Sequence, residues 1–297
     1  MFDAVFPPMA TPFADGEVDP AAIRSNITAW LRTGIGGVVA LGSNGEAPLL
    51  DESESDRVVE AARDAIPPGR LLIAGTGRES TRATIAASVS AARRGADAVL
   101  VRTPSYYKSR MTVDAFVRHY AAVADQSPVP VLLYNYPAVT GVSLAPEVIG
   151  RLSEHPNIAG IKETGSDTAQ VADYVAAARP SFAVVAGSAP TFYPSLCVGA
   201  CGGILAVACV VPEICVALLE HFRAGRHREA RTLQQRLTPL ARLVTSTHGV
   251  PGLKAAMDLA GYVGGEPRLP LGRPPADAIS HIRRELTTLQ SMAVVDR

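Results

Sequence analysis

A lysine that closes a buried strand carries the strongest chemical signal in the sequence. Among the 28 Lys and Arg residues only Lys108, Lys162 and Lys254 are lysines, and Lys162 directly follows the apolar segment Ile158–Ile161. Loss of water lowers a lysine pKa from its reference of about 10.4, so a desolvated amine is more often neutral. A neutral amine can form an imine with a ketone, which arginine cannot do. The alternative is an ion pair with a carboxylate such as Glu163, and position alone leaves the two evenly balanced.

Three further segments place polar groups at predicted strand ends. Tyr134 ends an apolar run and could pass protons during imine chemistry, although a single structural hydrogen bond is the commoner role of a buried tyrosine. The turn Gly42–Glu46 has two glycines, whose freedom lets successive backbone N–H groups face a carboxylate, and Ser43 adds a hydroxyl. Tyr106 and Tyr107 lie in a loop that serves either a subunit contact or the site.

The elements that must position these groups alternate between apolar strands and amphipathic helices. The predicted strands are Val5–Met9, Gly37–Leu41, Leu71–Ala74, Ala98–Val101, Val129–Tyr134, Ile158–Ile161, Ala183–Ala186 and Gly203–Val207. Predicted helices between them include Pro20–Thr33, Ser80–Arg94, Thr112–Gln126 and Ala169–Ala178, and the first three open with the helix-start residues Asp19, Ser80 and Thr112. Eight such units predict an α/β fold, a (β/α)₈ TIM barrel. An open doubly wound sheet is disfavoured, because no Gly-rich dinucleotide fingerprint follows the first strand.

The last third of the chain predicts helices without further strands. Segments Glu213–Arg223, His227–Thr245 and Gly252–Leu259 have helical patterns. We therefore expect residues 1–211 to form the barrel core. Residues 212–297 would supply the last barrel helix and a C-terminal helical extension of the same domain.

Composition excludes several function classes. The net charge is zero and no basic cluster occurs, so we expect no nucleic-acid partner. The uncharged segment Pro194–Val211 is interpreted as a buried strand with its turns rather than a membrane span, and the N-terminus has no secretory pattern. The four cysteines match no zinc signature, which favours core packing in a reducing cytoplasm. The six histidines are scattered, so no metal site is expected.

The chain resembles the dihydrodipicolinate synthase / N-acetylneuraminate lyase family nearly from end to end, and the 4-hydroxy-2-oxoglutarate aldolases are the group within it that it resembles most. The motifs that carry the resemblance are Gly42–Glu46, Thr103–Tyr107, Leu133–Pro137, Gly160–Thr164, Ala186–Ala189 and Gly249–Lys254. It implies that Lys162 forms the Schiff base and that Tyr134, Ser43 and a Tyr106 lent by a neighbouring subunit relay protons. It also implies pyruvate binding by Ser43, Asn44, Gly187 and Ile204, no cofactor, and a homotetramer built as a dimer of dimers.

One departure bears on the substrate. Val139 occupies the position where dihydrodipicolinate synthases carry an arginine for the carboxylate of aspartate semialdehyde, and valine cannot make that ion pair. The Ser43–Asn44 pair and Thr164, two residues after the lysine, instead resemble the hydroxyoxoglutarate aldolases, although Val139 also replaces the polar residue expected in those enzymes. Tyr136 and Val139 leave the distal end of the pocket open.

The resulting prediction is reversible cleavage of a 4-hydroxy-2-oxo acid to pyruvate and an aldehyde, with glyoxylate the leading candidate. Dehydration of a 2-oxo-3-deoxy sugar acid, or a hydratase-aldolase reaction on an aromatic pyruvate adduct, would keep the imine and change the product. Synthesis of 4-hydroxy-tetrahydrodipicolinate is less favoured. A catalytically idle barrel that binds pyruvate-like ligands is the non-enzymatic alternative.

Overall fold

A closed ring of eight parallel strands forms the centre of the molecule. The computed structural model describes residues 1–295, with side chains described to residue 291. The strands are β1 Val5–Phe6, β2 Gly37–Ala40, β3 Leu71–Gly75, β4 Ala98–Arg102, β5 Val131–Asn135, β6 Ile158–Glu163, β7 Ala183–Ala186 and β8 Gly202–Ile204. They pair in chain order, and β1 pairs with β8. A bridge between Pro8 and Val39 joins the segment after β1 to β2 and closes the ring. The predicted TIM barrel is thereby confirmed.

Helices between the strands form the outer layer. They are α1 Pro20–Trp30, α2 Glu52–Ala65, α3 Thr81–Arg93, α4 Val113–Gln126, α5 Pro137–Thr140, α6 Pro146–Ser153, α7 Thr168–Ala177, α8 Phe192–Cys197, α9 Pro212–Arg223, α10 His227–Arg242, α11 Gly249–Leu259 and α12 Ala276–Val295. Several begin at the caps that the sequence predicts. The side chains of Asp19, Ser80 and Thr112 each accept a hydrogen bond from a backbone N–H in the first turn of the helix that follows.

The strand residues divide into two apolar layers because successive side chains point to opposite faces. One layer fills the barrel interior and includes Phe6, Val39, Ile73, Leu100, Leu132, Tyr134, Val185 and Ile204. The other layer packs between the strands and the helices and includes Val38, Leu72, Val99, Val131, Leu133, Ile161 and Val184. Both faces of the sheet are therefore buried, as the continuous apolar strands predict.

Three predictions about local structure were wrong. The first strand ends at Phe6 rather than Met9. The eighth ends at Ile204, and Ala206–Cys209 forms a 3₁₀ turn instead of continuing the predicted strand to Val207. Short strands followed by turns let the chain leave the barrel wall at its carboxyl edge. Core packing holds for Cys209 and Cys215, but Cys197, on the short helix α8, is exposed.

The C-terminal part begins at Pro212 with α9 and continues through α10, a π-helical segment Leu243–Thr247, α11 and α12. The boundary at residue 211 between the barrel core and the C-terminal extension of the same domain stays a prediction. The last two residues of the predicted extension, 296 and 297, lie outside the described residues. Across residues 1–295 no helix combines the length and apolar character needed to cross a membrane.

Gly37 at the start of β2 gives a test of barrel closure. Its φ is +151°, and a Cβ there would lie 2.0 Å from the carbonyl oxygen of Leu71 on β3. Because a side chain would both strain the backbone and separate two paired strands, Gly37→Ala should destabilise the fold by about 3 kcal/mol or more. Gly272→Ala is the control, since a Cβ at Gly272 meets nothing within 4 Å. Urea unfolding of both variants checks this, and equal stability would contradict it.

Candidate active site

Lys162 points into the barrel and Glu163 points out of it. The two are consecutive in β6, so the alternation of a strand sends them to opposite faces. Lys162 is 3% exposed and pairs in register with Tyr134 of β5 and Val185 of β7, both members of the interior layer. Among the described residues no carboxylate lies within 4.0 Å of Lys162 Nζ. The alternative of a Lys162–Glu163 ion pair is therefore wrong.

The amine of Lys162 is desolvated and adjoins an aromatic ring. Its Nζ lies 4.3 Å from the centroid of the Tyr134 ring. Burial lowers the pKa of Lys162 to about 7, and the nearby Cys209 opposes this only in part. A substantial fraction of this amine is consequently neutral near pH 7, which is the form that attacks a carbonyl carbon.

Tyr134 and Ser43 form a hydrogen-bonded pair beside the lysine. Their hydroxyl oxygens are 3.2 Å apart, with either able to donate. Burial raises the pKa of Tyr134 to about 12, while its hydrogen bond with Ser43 opposes the rise. At neutral pH Tyr134 is therefore a neutral phenol. It can accept a proton from one group only if it donates its own hydroxyl proton to a second group.

The outer faces of β5 and β6 carry a buried polar cluster that the sequence reasoning missed. The side-chain amide of Asn135 donates to Glu163 Oε2 at 2.7 Å and to the Tyr174 hydroxyl at 3.2 Å. Glu163 Oε1 also accepts the N–H of Gly165 at 2.5 Å, and burial raises the pKa of Glu163. Asn135 and Glu163 are direct partners in the sheet, one residue after Tyr134 and Lys162. The cluster therefore holds these strands in register behind the reactive pair, and strand alternation was the signal that could have revealed it.

The turn after β2 takes the compact form that its glycines predict. Ser43–Gly45 forms a 3₁₀ turn, and the Gly45 carbonyl accepts the Thr11 hydroxyl at 2.7 Å in a buried contact. Glu46 follows in the left-handed region at φ +57°. Ser43 and Asn44 are half-buried, so their backbone can face a ligand while the rest of the turn is anchored.

Thr164, Gly187 and Ile204 lie at the carboxyl ends of β6, β7 and β8, respectively. A Cβ at Gly187 would meet the Thr164 hydroxyl oxygen at 2.1 Å, so only glycine fits against the end of β6. That hydroxyl is buried and has no hydrogen-bond partner among the described residues, which leaves it available to a ligand. Ile204 is 1% exposed and closes the interior layer.

A cavity of about 370 Å³ opens at the carboxyl ends of β2 to β5. Ser43, Tyr134 and Leu100 line it beside the charged side chains of Arg102 and Glu79, which pair at 2.8 Å. Lys162 is not among its lining residues and adjoins it through the Tyr134 ring.

Two of the predicted site residues lie apart from this centre within a single chain. Val139 is 64% exposed on the short helix α5. Tyr106 is 77% exposed, and its ring contacts Tyr107. The Tyr106 loop is nevertheless held in place, because Glu79 accepts the backbone N–H groups of Ser105 and Tyr106, each at 2.9 Å.

Known proteins resemble the chain over almost its full length. The model of the dihydrodipicolinate synthetase family matches residues 1–289. A probable mitochondrial 4-hydroxy-2-oxoglutarate aldolase of Emericella nidulans is 37% identical over 94% of this chain and 92% of its own. A 4-hydroxy-tetrahydrodipicolinate synthase of Syntrophus aciditrophicus is 35% identical over 96% and 97%.

The fold of the chain also matches solved structures. A prophage protein of the dihydrodipicolinic acid synthase family from E. coli, solved in complex with pyruvate, is 27% identical, with a TM-score of 0.91 over 98% of this chain and 99% of its own. The buried amine, the carboxyl-end cavity and these similarities agree, and the chain belongs to the dihydrodipicolinate synthetase family of pyruvate-dependent lyases.

Proposed function

We propose that the protein is a class I aldolase that reversibly cleaves a 4-hydroxy-2-oxo acid to pyruvate and an aldehyde, with glyoxylate the leading candidate. The observation that carries the proposal is the buried amine of Lys162, which has a pKa of about 7 and no carboxylate within ion-pair distance among the described residues. A lysine in this state has no structural partner to satisfy, and its burial costs free energy that an imine-forming role accounts for.

The reaction follows from the electron demand of the imine. The Lys162 amine adds to the C2 carbonyl of the substrate, and loss of water leaves a protonated imine. Removal of the proton from the C4 hydroxyl breaks the C3–C4 bond, releases the aldehyde and sends the bonding electron pair into an enamine. Protonation of the enamine at C3 and hydrolysis of the imine then release pyruvate and restore the amine.

Tyr134 is assigned the proton transfers. Its phenol is the group that adjoins the amine, and its hydrogen bond to Ser43 supplies the second site that a relay needs. Because the pKa of Tyr134 is about 12, the phenol accepts the C4 proton while handing its own to Ser43, whose hydroxyl proton in turn passes on toward Tyr106 of a second copy. Tyr106 of a second copy of the chain would extend the relay, and its 77% exposure leaves it free to do so.

The pyruvyl half of the substrate is assigned to the inner walls of the site. Backbone N–H groups of Ser43 and Asn44 would hold its carboxylate. Gly187 and Ile204 would flank the methylene carbon, and the free hydroxyl of Thr164 would meet the C4 hydroxyl or the distal carboxylate. No cofactor is required by this chemistry.

Val139 favours the aldolase over the synthase. The names of the relatives do not decide, since aldolase and synthase relatives are 37% and 35% identical to the chain. Without a cation at residue 139, the carboxylate of aspartate semialdehyde loses its ion-pair partner. Dehydratase and hydratase-aldolase outcomes remain alternatives, which product analysis with a panel of 2-oxo acids separates.

Assembly and location are part of the proposal. We expect a homotetramer, in which the exposed pair Tyr106 and Tyr107 lies against a second copy. We place the protein in the cytoplasm, in keeping with its four unpaired cysteines.

The imine is tested by chemical trapping. Borohydride reduction in the presence of pyruvate, followed by peptide mass analysis, should place the pyruvyl adduct on Lys162. Lys162→Arg, which keeps the charge but cannot form an imine, should give no adduct and lower turnover by at least about 10³-fold. Label on Lys108 or Lys254 would contradict the assignment.

The pH dependence of imine formation tests the desolvation of the amine. Protein and pyruvate are mixed briefly at pH 5.5 to 9 and quenched with borohydride at one fixed pH. The pKa of Lys162 lies at about 7, so the initial rate should rise with pH through that value and level off above it, as the protonated amine disappears. Tyr134, with its pKa at about 12, should not titrate in this range. A midpoint near pH 10 would mean that the reacting lysine is solvated and would contradict the desolvation of the Lys162 amine.

The aldehyde preference tests the role of residue 139. Wild-type protein should cleave 4-hydroxy-2-oxoglutarate more efficiently than it condenses pyruvate with aspartate semialdehyde. Val139→Arg should shift the ratio of the two kcat/KM values at least about tenfold toward the semialdehyde, because a charged contact is restored. Val139→Leu is the control and should leave the ratio within about twofold. Efficient condensation by the wild type would rule out this preference.

A further inference from the structure

Two of the three lysines are buried, and their surroundings differ. Lys254, on α11, is 1% exposed and lies 2.6 Å from Glu46 Oε1, whose side chain is fully buried. The Lys254 ammonium also donates to the carbonyl oxygen of Glu266 at 2.8 Å. Within the part of the chain that the structure describes, Lys162 has no such partners, so it is the amine free to react, whereas the Lys254 side chain is held by two acceptors.

Glu46 is the last residue of the turn that contains Ser43 and Asn44. Its N–H donates to the carbonyl oxygen of Ser43 at 3.2 Å, and its φ of +57° is one that a residue with a side chain seldom adopts. Glu46 Oε2 accepts the backbone N–H of Arg268 at 2.8 Å. Both oxygens of this carboxylate are therefore engaged by the C-terminal part of the chain.

Arg268 extends the same connection. Its guanidinium pairs with both oxygens of Glu54, at 2.6 and 2.7 Å, and donates to the Leu49 carbonyl at 3.0 Å. The Phe13 ring receives both cations, with Lys254 Nζ 4.4 Å and the Arg268 guanidinium 4.3 Å from its centroid. The segment from the turn to the first turn of α2 is thus fastened to residues 254–268 by charged contacts.

A buried ion pair contributes little net stability, because desolvation of two charges offsets their attraction. What such a pair can supply is geometry, because two buried charges that must meet restrict the positions of the backbone segments that carry them. Here the backbone so restrained is the turn whose N–H groups face the substrate carboxylate in the proposed function.

We propose that the Glu46–Lys254 ion pair is a positioning device for the carboxylate-binding turn Ser43–Asn44, through which the C-terminal helices set the affinity of the site for the 2-oxo acid. Glu46 and Lys254 are positioning residues and do not touch the reacting atoms. This inference rests on the proposed function, since it requires pyruvate to bind at that turn.

The test measures the pyruvate concentration that gives half-maximal borohydride trapping at Lys162, together with the extent of trapping at saturation. Lys254→Met and Glu46→Gln should each raise the half-saturating concentration at least about tenfold, while saturating pyruvate still labels Lys162. The saturated extent reports the amine itself, which these changes do not contact, so a purely global defect would lower it as well.

Arg63→Met is the matched control. Arg63 pairs with Asp97 at 3.0 Å and donates to the carbonyls of Gly95 and Ile66, at the opposite end of the barrel from the site. At a similar loss of melting temperature this variant should leave the half-saturating concentration within about twofold. A tenfold rise in the control as well would assign the effect to stability and overturn the proposal.

The double variant Glu46→Leu/Lys254→Met separates stability from positioning. Removal of both charges should restore the melting temperature lost in the single variants, since no unpaired charge stays buried. The half-saturating concentration should remain raised at least about tenfold, and a return to the wild-type value would overturn the proposal. Should the single variants fail to fold, the double variant decides alone.

The outcomes for the two proposals can be told apart. Wild-type protein that forms no imine at Lys162 overturns the proposed function and this inference with it. Wild-type trapping at Lys162 combined with unaltered half-saturation in the variants overturns this inference alone.

Discussion

The site depends on keeping one primary amine out of water without giving it a counter-ion. Water and carboxylates would both favour the protonated form of Lys162, so the barrel interior must supply neither. Burial among Tyr134, Val185 and the rest of the interior layer accomplishes this, and it lowers the pKa of Lys162 to about 7. A closed barrel suits this requirement, because apolar side chains fill its interior while its carboxyl end remains open to a substrate.

The polar groups that support this apolar centre lie outside the barrel interior, on the outer face of the strands and at the edge of the site. On the outer face of the same strands, Asn135 and Glu163 hold β5 and β6 in register, so Tyr134 and Lys162 meet side by side. At the edge of the site the Glu46–Lys254 pair fastens the turn after β2 to the C-terminal helices. Among the described residues the buried carboxylates are Glu46 and Glu163, which contact Lys254 and Asn135, and neither lies within 4.0 Å of the Lys162 amine.

In the proposed function, substrate choice and imine formation depend on different parts of the structure. Lys162 and Tyr134 lie on strands, while Val139 and Tyr106 lie in exposed segments after β5 and β4. Loops on a fixed scaffold can change their side chains without altering the barrel, which is why one fold supports several related reactions. The aldolase and synthase relatives, with nearly equal identity to this chain, illustrate that overall similarity carries little information about the aldehyde.

Sequence alone determined the order of strands and helices, because apolar period and helix caps are local properties; α3 and α4 begin at the predicted caps Ser80 and Thr112. It also identified Lys162 as chemically unusual, since a lysine at the end of an apolar segment is visible in the local sequence without any knowledge of its tertiary contacts. It could not choose between an imine and an ion pair with Glu163, nor find the roles of Asn135 and Lys254. Those depend on which groups meet across strands and over 200 residues of chain, and only the closed barrel brings such distant groups together.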